Sequence, residues 1–168
     1  MASLDGFQCQ TCGNWHDGLP LDYGYAAPHC WSRDLNSRPD CFLNADFCFI
    51  RKEDFFVRGL IEIPIHNGED FFRYGAWVSL RQKNFDRMRD LWHDPALLSE
   101  PPYFGWLSNS IDLYPETLSL KASVSSRVIT QRPFITLEAT DHPLAVEQRN
   151  GISIDRVREM AELRFHTK

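Results

Sequence analysis

The stretch FQCQTCGNWHDGLP near the start of the chain contains the residue types best suited to chemistry. Cys9 and Cys12 are separated by two residues, Gly13 follows the second cysteine, and His16 comes four positions after it. A turn of this length lets two thiolates point at one ion, and the glycine leaves room for backbone amides to face the sulfurs. The spacing is typical of a zinc knuckle, with His16 as the natural local ligand.

A closed tetrahedral zinc site needs four ligands, so another part of the chain must complete the knuckle. We favour Cys48, because the segment ADFCFI around it is typical of a short strand that could return beside the knuckle. Other candidate donors are His29, Cys30 and Cys41. The ligands predicted for one structural Zn²⁺ per chain are Cys9, Cys12, Cys48 and His16.

The CxxC pair also has a redox interpretation. A thioredoxin-like pair gains its low-pKa thiol from the N-terminus of a helix. Here the following segment, GNWHDGLPLDYGYAAP, is rich in Gly and Pro and predicts no helix. A thiol redox sensor would use Cys9 and Cys12, with Cys30 or Cys41 as the resolving thiol. A third interpretation is that these cysteines are ordinary buried thiols.

A second polar group occurs in TDHPLAVEQRNGI, where Asp141 and His142 precede a predicted helix and Glu147 lies within it. In a metal-dependent hydrolase, His142 or Glu147 would act as acid or base beside a zinc-bound water. A thiolate-rich ligand set would make that water a poor acid, which argues against this role. We favour the structural alternative, in which Asp141 caps the helix and His142 is a polar residue at its entrance.

The aromatic segment PPYFGWLSNSIDLYP is a candidate binding surface. Tyr103, Phe104 and Trp106 would be its anchors and Asn109 its polar contact. The alternative is that these rings fill the core. With a basic residue that stands beside a predicted strand, the predicted binding surface comprises Trp106, Asn109 and Arg132.

The other ionisable side chains beside predicted strands and helices have simpler interpretations. Arg58 and Arg132 could bind an anionic group or could be paired on a sheet face. His66 falls in a predicted turn, His93 at a helix end and His166 close to the C-terminus, so all three are expected in solvent.

The clearest element is a β-hairpin in FFVRGLIEIPIHNGEDFFRYGAWVSL. Apolar residues alternate on both arms, and Asn67-Gly68 between them favours a type I′ turn. Pro64 lacks an N–H group, which predicts an edge or a bulge there.

Further along, the sequence predicts three helices and two more strands. Phe85, Met88 and Leu91 are spaced for one helical face. The first predicted helix follows Ser79. The second begins at Asp141 or His142 and stops at Gly151, and the third runs from Ser153 to about Phe165. The two predicted strands cover 118–124 and 133–139. Strands in sequence with helices added late indicate an α+β fold, with an antiparallel sheet and a central Asn-Gly hairpin packed by two or three helices. An irregular zinc-knuckle region, 7–48, would lie within a single domain, 1–168.

Composition narrows the class of protein. The 168 residues are 43% hydrophobic with a net charge of −5, typical of a globular chain and poorly suited to neutralising nucleic-acid phosphates. The sequence contains neither a membrane-length apolar run nor a secretory signal. With five cysteines, an odd number, it predicts a cytoplasmic protein whose thiols are free or metal-bound.

Several motifs together resemble a bacterial family catalogued as a domain of unknown function, number twenty-one ninety-nine. They are CxxCGxxH, RGLIEIPI, GAWVSL, YFGWLSN, LYPETLSLK, RPFITLE and DHPLAVEQRNGI, and the resemblance covers about residues 7 to 165. It implies recurring cysteines at Cys9, Cys12 and Cys48 and recurring histidines at His16 and His142, whereas Cys30 and Cys41 lie outside the pattern. The resemblance implies no particular activity.

The leading hypothesis is a small cytoplasmic zinc-binding protein that acts by binding another protein, with a structural metal. The sequence contains no Gly-rich phosphate loop, GxSxG or HExxH motif, which lowers the expectation of an enzyme. The alternatives are a metal-dependent hydrolase and a thiol redox sensor.

Overall fold

The computed structural model describes residues 5–68, 70–128 and 131–166, which form ten strands and three α-helices. The strands are β1 (Gly6–Gln8), β2 (Trp15–Asp17), β3 (Asp22–Gly24), β4 (Phe42–Leu43), β5 (Phe47–Ile50), β6 (Asp54–Pro64), β7 (Phe71–Leu80), β8 (Tyr103–Leu107), β9 (Lys121–Ser125) and β10 (Phe134–Leu137). The helices are α1 (Gln82–Asp90), α2 (Pro143–Asn150) and α3 (Ile154–His166). Short 3₁₀ helices cover Arg33–Ser37 and Pro95–Ser99.

Five strands close into a mixed barrel. Strands β6 to β10 pair in sequence order, each antiparallel to the next, and β10 then returns parallel to β6 at Phe134 and Leu60. Gly59 permits this closure, because a Cβ atom there would lie 2.8 Å from the Pro133 carbonyl oxygen and 2.8 Å from the Ile135 side chain. β5 and β4 extend the sheet from β6, β3 joins β7 in parallel, and β1 and β2 form a separate ribbon.

The predicted α+β class, an antiparallel sheet packed by helices, is therefore wrong. The closing pair is parallel and joins strands far apart in the sequence, which short-range alternation does not reveal. The segment YFGWL, placed in an irregular stretch, is strand β8 with strictly alternating burial. The hairpin itself exists, since β6 and β7 pair from Phe55 and Leu80 to Pro64 and Phe71. Its connection is not the predicted type I′ turn, because Asn67 has a positive φ of 63° but Gly68 does not have a positive φ.

Two apolar clusters stabilise the sheet on its two faces. The main core includes Val57, Ile61 and Phe72 from the hairpin and Val157 and Met160 from α3, all fully buried. The second cluster, called the outer cluster, covers the other face and comprises Leu35, Cys48, Ile50, Phe56 and Trp77. Alternation along β6 and β7 supplies both clusters, since successive side chains point to opposite faces.

The three predicted helices are present, but α1 begins at Gln82 with Arg81 as its N-cap, and Ser79 lies in β7. α2 has Pro143 at its first position and ends at Gly151, whose φ of 77° favours glycine. α3 continues to His166, and its buried residues pack on the core. None of the described helices has both the length and the apolar character needed to cross a membrane.

Candidate metal centre

The knuckle is shaped by the turn between β1 and β2. Gly13 N donates to the Cys9 carbonyl oxygen at 2.9 Å, and Cys9 N donates to the Asn14 carbonyl oxygen at 2.9 Å. Gly13 has a φ of 73°, in the left-handed region that glycine adopts without strain. The turn places Cys9 and Cys12 together, and β2 brings back His16.

The fourth donor comes from the last residue of α3. Cys9 Sγ lies 3.1 Å from His166 Nε2, and Cys12 Sγ lies 3.4 Å from His16 Nε2. The candidate ligand atoms of Cys9, Cys12, His16 and His166 all lie within 4.8 Å of one another. Four donors at this separation could hold one metal ion, and we call this group the Cys2His2 cluster.

Contacts around the Cys2His2 cluster hold the β1–β2 turn and the end of α3 next to each other. The ring of Phe165 stacks on that of His16, with centroids 4.8 Å apart and an interplanar angle of 7°, and Phe7 stacks on His16 at 5.4 Å. Gln10 N donates to Glu162 Oε1 at 2.8 Å. These contacts orient one imidazole ligand and dock α3 on the knuckle, a supporting role that outer contacts often have in metal sites.

The electrostatics at Cys9 suit a metal ligand. Burial raises the pKa of its thiol, but hydrogen bonds outweigh it and bring the pKa down to about 6. The donors are the backbone N–H of Cys12, then His166, then the backbone N–H of Thr11. Because the thiolate is the form that binds metal, Cys9 is prepared for coordination at neutral pH.

The sulfur and nitrogen donors of the Cys2His2 cluster favour some metal ions over others. Two thiolates and two imidazoles suit Zn²⁺, which prefers four sulfur and nitrogen ligands in a tetrahedron, and they exclude the oxygen-seeking cations Mg²⁺ and Ca²⁺. The two cysteines differ in exposure: Cys9 is 1% exposed, whereas Cys12 lies at the surface. The cluster could thus hold a metal ion at the edge of the fold.

Cys48, predicted as the third cysteine ligand, lies in β5 and not in the Cys2His2 cluster. It is fully buried in the outer cluster, and burial, with the nearby Cys30 and Cys41 thiols, raises its pKa to about 12. His166 stands in its place among the donors. The one sequence signal for His166 was its position at the end of a predicted helix.

The remaining cysteine and histidine candidates also lie away from the Cys2His2 cluster. His29 and Cys30 line a groove beside Trp106. Cys41 packs on the outer cluster, and its Sγ accepts a hydrogen bond from Arg51 N at 3.3 Å. All five cysteines are unpaired thiols. The structure therefore brings neither Cys30 nor Cys41 to the CxxC pair as a resolving thiol.

His142 acts as a helix cap. Its Nδ1 accepts from Leu144 N at 3.2 Å, so Nε2 carries the proton and donates to the Glu116 carbonyl oxygen at 3.1 Å. The sequence predicts Asp141 as the cap of α2, but the residue that caps this helix is His142. With both ring nitrogens engaged, His142 has no nitrogen left for a metal or a substrate.

Glu147 belongs to a different polar network. It accepts hydrogen bonds from the Tyr114 hydroxyl and, at 2.9 Å, from Arg156 Nε. Arg156 and His166 lie ten residues apart on α3, which corresponds to about 15 Å. Glu147 is thus at the opposite end of α3 from the Cys2His2 cluster, and this geometry does not favour the hydrolase hypothesis.

The residues of the predicted binding surface fall in three environments. Trp106 is 42% exposed on β8, next to Phe104, which is 51% exposed. Asn109 is buried, where its Oδ1 accepts from Trp77 N at 2.8 Å and its Nδ2 donates to the Ala27 carbonyl oxygen at 3.0 Å. Asn109 therefore stabilises the fold, while Arg132 pairs with a carboxylate elsewhere on the sheet.

Comparison with known proteins agrees with the sequence resemblance. The model of a family described as uncharacterised proteins conserved in bacteria (DUF2199) matches residues 8–152, most of the chain. The matched range includes Cys9, Cys12 and His16, whereas His166 follows it. No curated protein and no solved structure matches the chain. The match to the family model shows that the chain belongs to this bacterial family.

Proposed function

We propose that this protein is a cytoplasmic zinc-binding module, in which one structural Zn²⁺ stabilises the fold and an exposed aromatic surface binds another protein. The observation that carries the proposal is the Cys2His2 cluster, whose four donor atoms lie within 4.8 Å of one another. Four protein ligands would fill a tetrahedral zinc shell and leave no position for a reacting water.

The positions of the ligands support a structural role for the metal. Three of them belong to the β1–β2 ribbon, and His166 belongs to α3. A zinc ion bound to all four would join the ribbon to the helix, so binding free energy would contribute directly to folding. The five unpaired cysteines suit a reducing compartment, such as the cytoplasm.

The protein-binding surface we propose is the pair Phe104 and Trp106, which project from the outer side of β8. Their rings meet edge to face with centroids 5.1 Å apart. Large aromatic side chains on a rigid strand lose little conformational entropy on binding and often dominate interface energetics. A groove of about 610 Å³ runs beside Trp106, with Cys30, Asp54 and Ser79 among its lining residues.

The metal part of the proposal is tested by elemental analysis of protein purified without chelator. We expect about one zinc per chain in the wild type and almost none in Cys9→Ser, whereas Cys41→Ser, a matched thiol outside the cluster, should keep its zinc. The Cys9→Ser protein should also unfold less cooperatively. A well-folded wild type without metal would contradict the proposal.

The binding part is tested by comparing affinity-purified complexes from the native bacterium. A defined partner should copurify with the wild type and with Leu98→Ala, a control at another exposed apolar residue (48% exposed). The same partner should be lost with Phe104→Ala/Trp106→Ala. Equal recovery with the double variant would exclude this surface as the interface.

A further inference from the structure

Arg58 stands out among the arginines of the sheet because it has no acidic partner. On the same region of the barrel surface, Arg73 and Arg127 pair with Glu62 at 2.9 and 3.4 Å, and Arg132 pairs with Asp46 at 2.9 Å. Among the described residues, none forms an ion pair or a hydrogen bond with the Arg58 side chain. Its Nε is buried and unsatisfied.

Two glycines shape the place where the Arg58 guanidinium lies. Gly24 on β3 and Gly75 on β7 are register partners. A Cβ atom on Gly24 would lie 2.7 Å from Arg58 Nη2, and one on Gly75 would lie 3.3 Å from the same nitrogen and 3.5 Å from Nε. The paired glycines form a slot that any side chain would fill, so the backbone here accommodates the guanidinium.

This arrangement is costly unless something else offsets it. A buried donor without an acceptor destabilises a fold, and an unpaired charge does so more strongly. Burial, and to a lesser degree the nearby positive Arg132, lowers the pKa of the Arg58 guanidinium, and the negative charge of Asp46 only partly offsets this. Asp46 is the nearby acid, but its Oδ1 already accepts from Arg132 Nε. A guanidinium whose Nε lacks an acceptor has a donor free to bind an anion from solution.

We propose that the slot formed by Gly24 and Gly75 holds Arg58 as a binding site for the oxyanion of a small ligand. The planar guanidinium fits two oxygens of a phosphate or a carboxylate in a bidentate pair. This site lies on the sheet, is independent of the Cys2His2 cluster, and gives this net-acidic protein a local preference for anions.

The test is an NMR titration of the zinc-loaded protein with inorganic phosphate and, separately, with succinate, observing the Arg58 Nε–H signal. Sodium chloride at matched ionic strength controls for screening. We expect at least one oxyanion to bind and to shift this signal, whereas chloride should not. Binding of phosphate alone would assign a phosphorylated ligand, and binding of succinate alone would assign a carboxylate.

Two variants separate the site from general charge effects. Arg58→Met removes the fork, and Gly24→Ala displaces the guanidinium while keeping its charge; each should weaken binding by about tenfold or more. Arg81→Gln, which removes an exposed charge six residues beyond Gly75 and about 20 Å along the chain, should bind as the wild type does. Both site variants should keep one zinc and a folded spectrum. Failure of both anions to bind, or wild-type affinity in Arg58→Met, would overturn the proposal.

Discussion

Two buried cysteines in this protein have opposite chemistry. Cys9 is 1% exposed and Cys48 is fully buried, yet the pKa of Cys9 is lowered to about 6 and that of Cys48 is raised to about 12. The difference comes from their neighbours. Cys9 receives hydrogen bonds from backbone amides in a turn and from His166, whereas Cys48 meets apolar side chains in the outer cluster. Burial alone therefore does not tell a ligand from a packing residue.

The largest expected effect is a difference in zinc affinity between a variant of His166, beside Cys9, and a variant of His29, in the region of Cys48. Replacing His166 with Ala removes one of the four donors of the proposed zinc site and should weaken zinc binding roughly a hundredfold, because structural sites gain about 10–16 kcal/mol from four ligands. His29→Ala, beside Cys30, should leave zinc affinity unchanged. Competition with a chromophoric chelator measures both, and equal affinities would remove His166 from the site.

The thiols themselves should give pH dependences of opposite sign in metal-free protein. Cys9 has a folded pKa of about 6 against an ordinary 9.0, so between these values the unfolded state binds more protons and stability rises with pH. Cys48 has a folded pKa of about 12, so between pH 9 and 12 the folded state binds more protons and stability falls as pH rises.

Urea unfolding across this pH range measures these two slopes. Cys9→Ser should lose the rise between pH 6 and 9, and Cys48→Ala should lose part of the decline above pH 9. Identical pH profiles in the wild type and both variants would contradict the assignment.

A smaller effect is expected from the ring stack that orients His16. Phe165→Ala removes the stacking partner and should weaken zinc binding by about tenfold, the lower end of the effect of outer contacts on metal sites. Phe104→Ala is a matched control, since the two rings are 48% and 51% exposed. A change of similar size in both variants would mean that the stack does not support the ligand.

The smallest expected effect is a change in stability from a substitution beside the outer cluster. Cys41→Ser replaces a half-buried thiol that accepts one backbone hydrogen bond, and a hydroxyl can accept the same bond. We expect a change of about 1 kcal/mol or less in the free energy of unfolding and no change in zinc content. A larger loss of stability would show that Cys41 packs more tightly in the outer cluster than its exposure indicates.

How much could be predicted from the sequence depended on the distance between partners. Cys9, Cys12 and His16 are close together in the sequence, so their spacing alone predicts that their side chains can meet. The helix caps at His142 and Gly151 are local too, as is the hairpin. His166 meets Cys9 across 157 residues, and no spacing rule links them.

The errors have the same physical origin. The short strand predicted around Cys48 is present as β5, but the local sequence could not show which surface that strand faces. The barrel closes where Gly59 lets β10 approach β6, a contact that pairs Leu60 with Phe134, 74 positions further along the chain. Long-range pairings of this kind depend on the assembled fold and leave little trace in local patterns.

The span of the Cys2His2 cluster also indicates the order in which the chain folds. The β6–β7 hairpin closes a short loop and can form early, while barrel closure must wait for β10. Contact between Cys9 and His166 closes a loop of 157 residues, the longest of the three, and carries the greatest entropic cost while the chain is still open. We therefore expect metal binding to follow barrel closure. Zinc bound at the Cys2His2 cluster would then slow unfolding far more than it would speed folding.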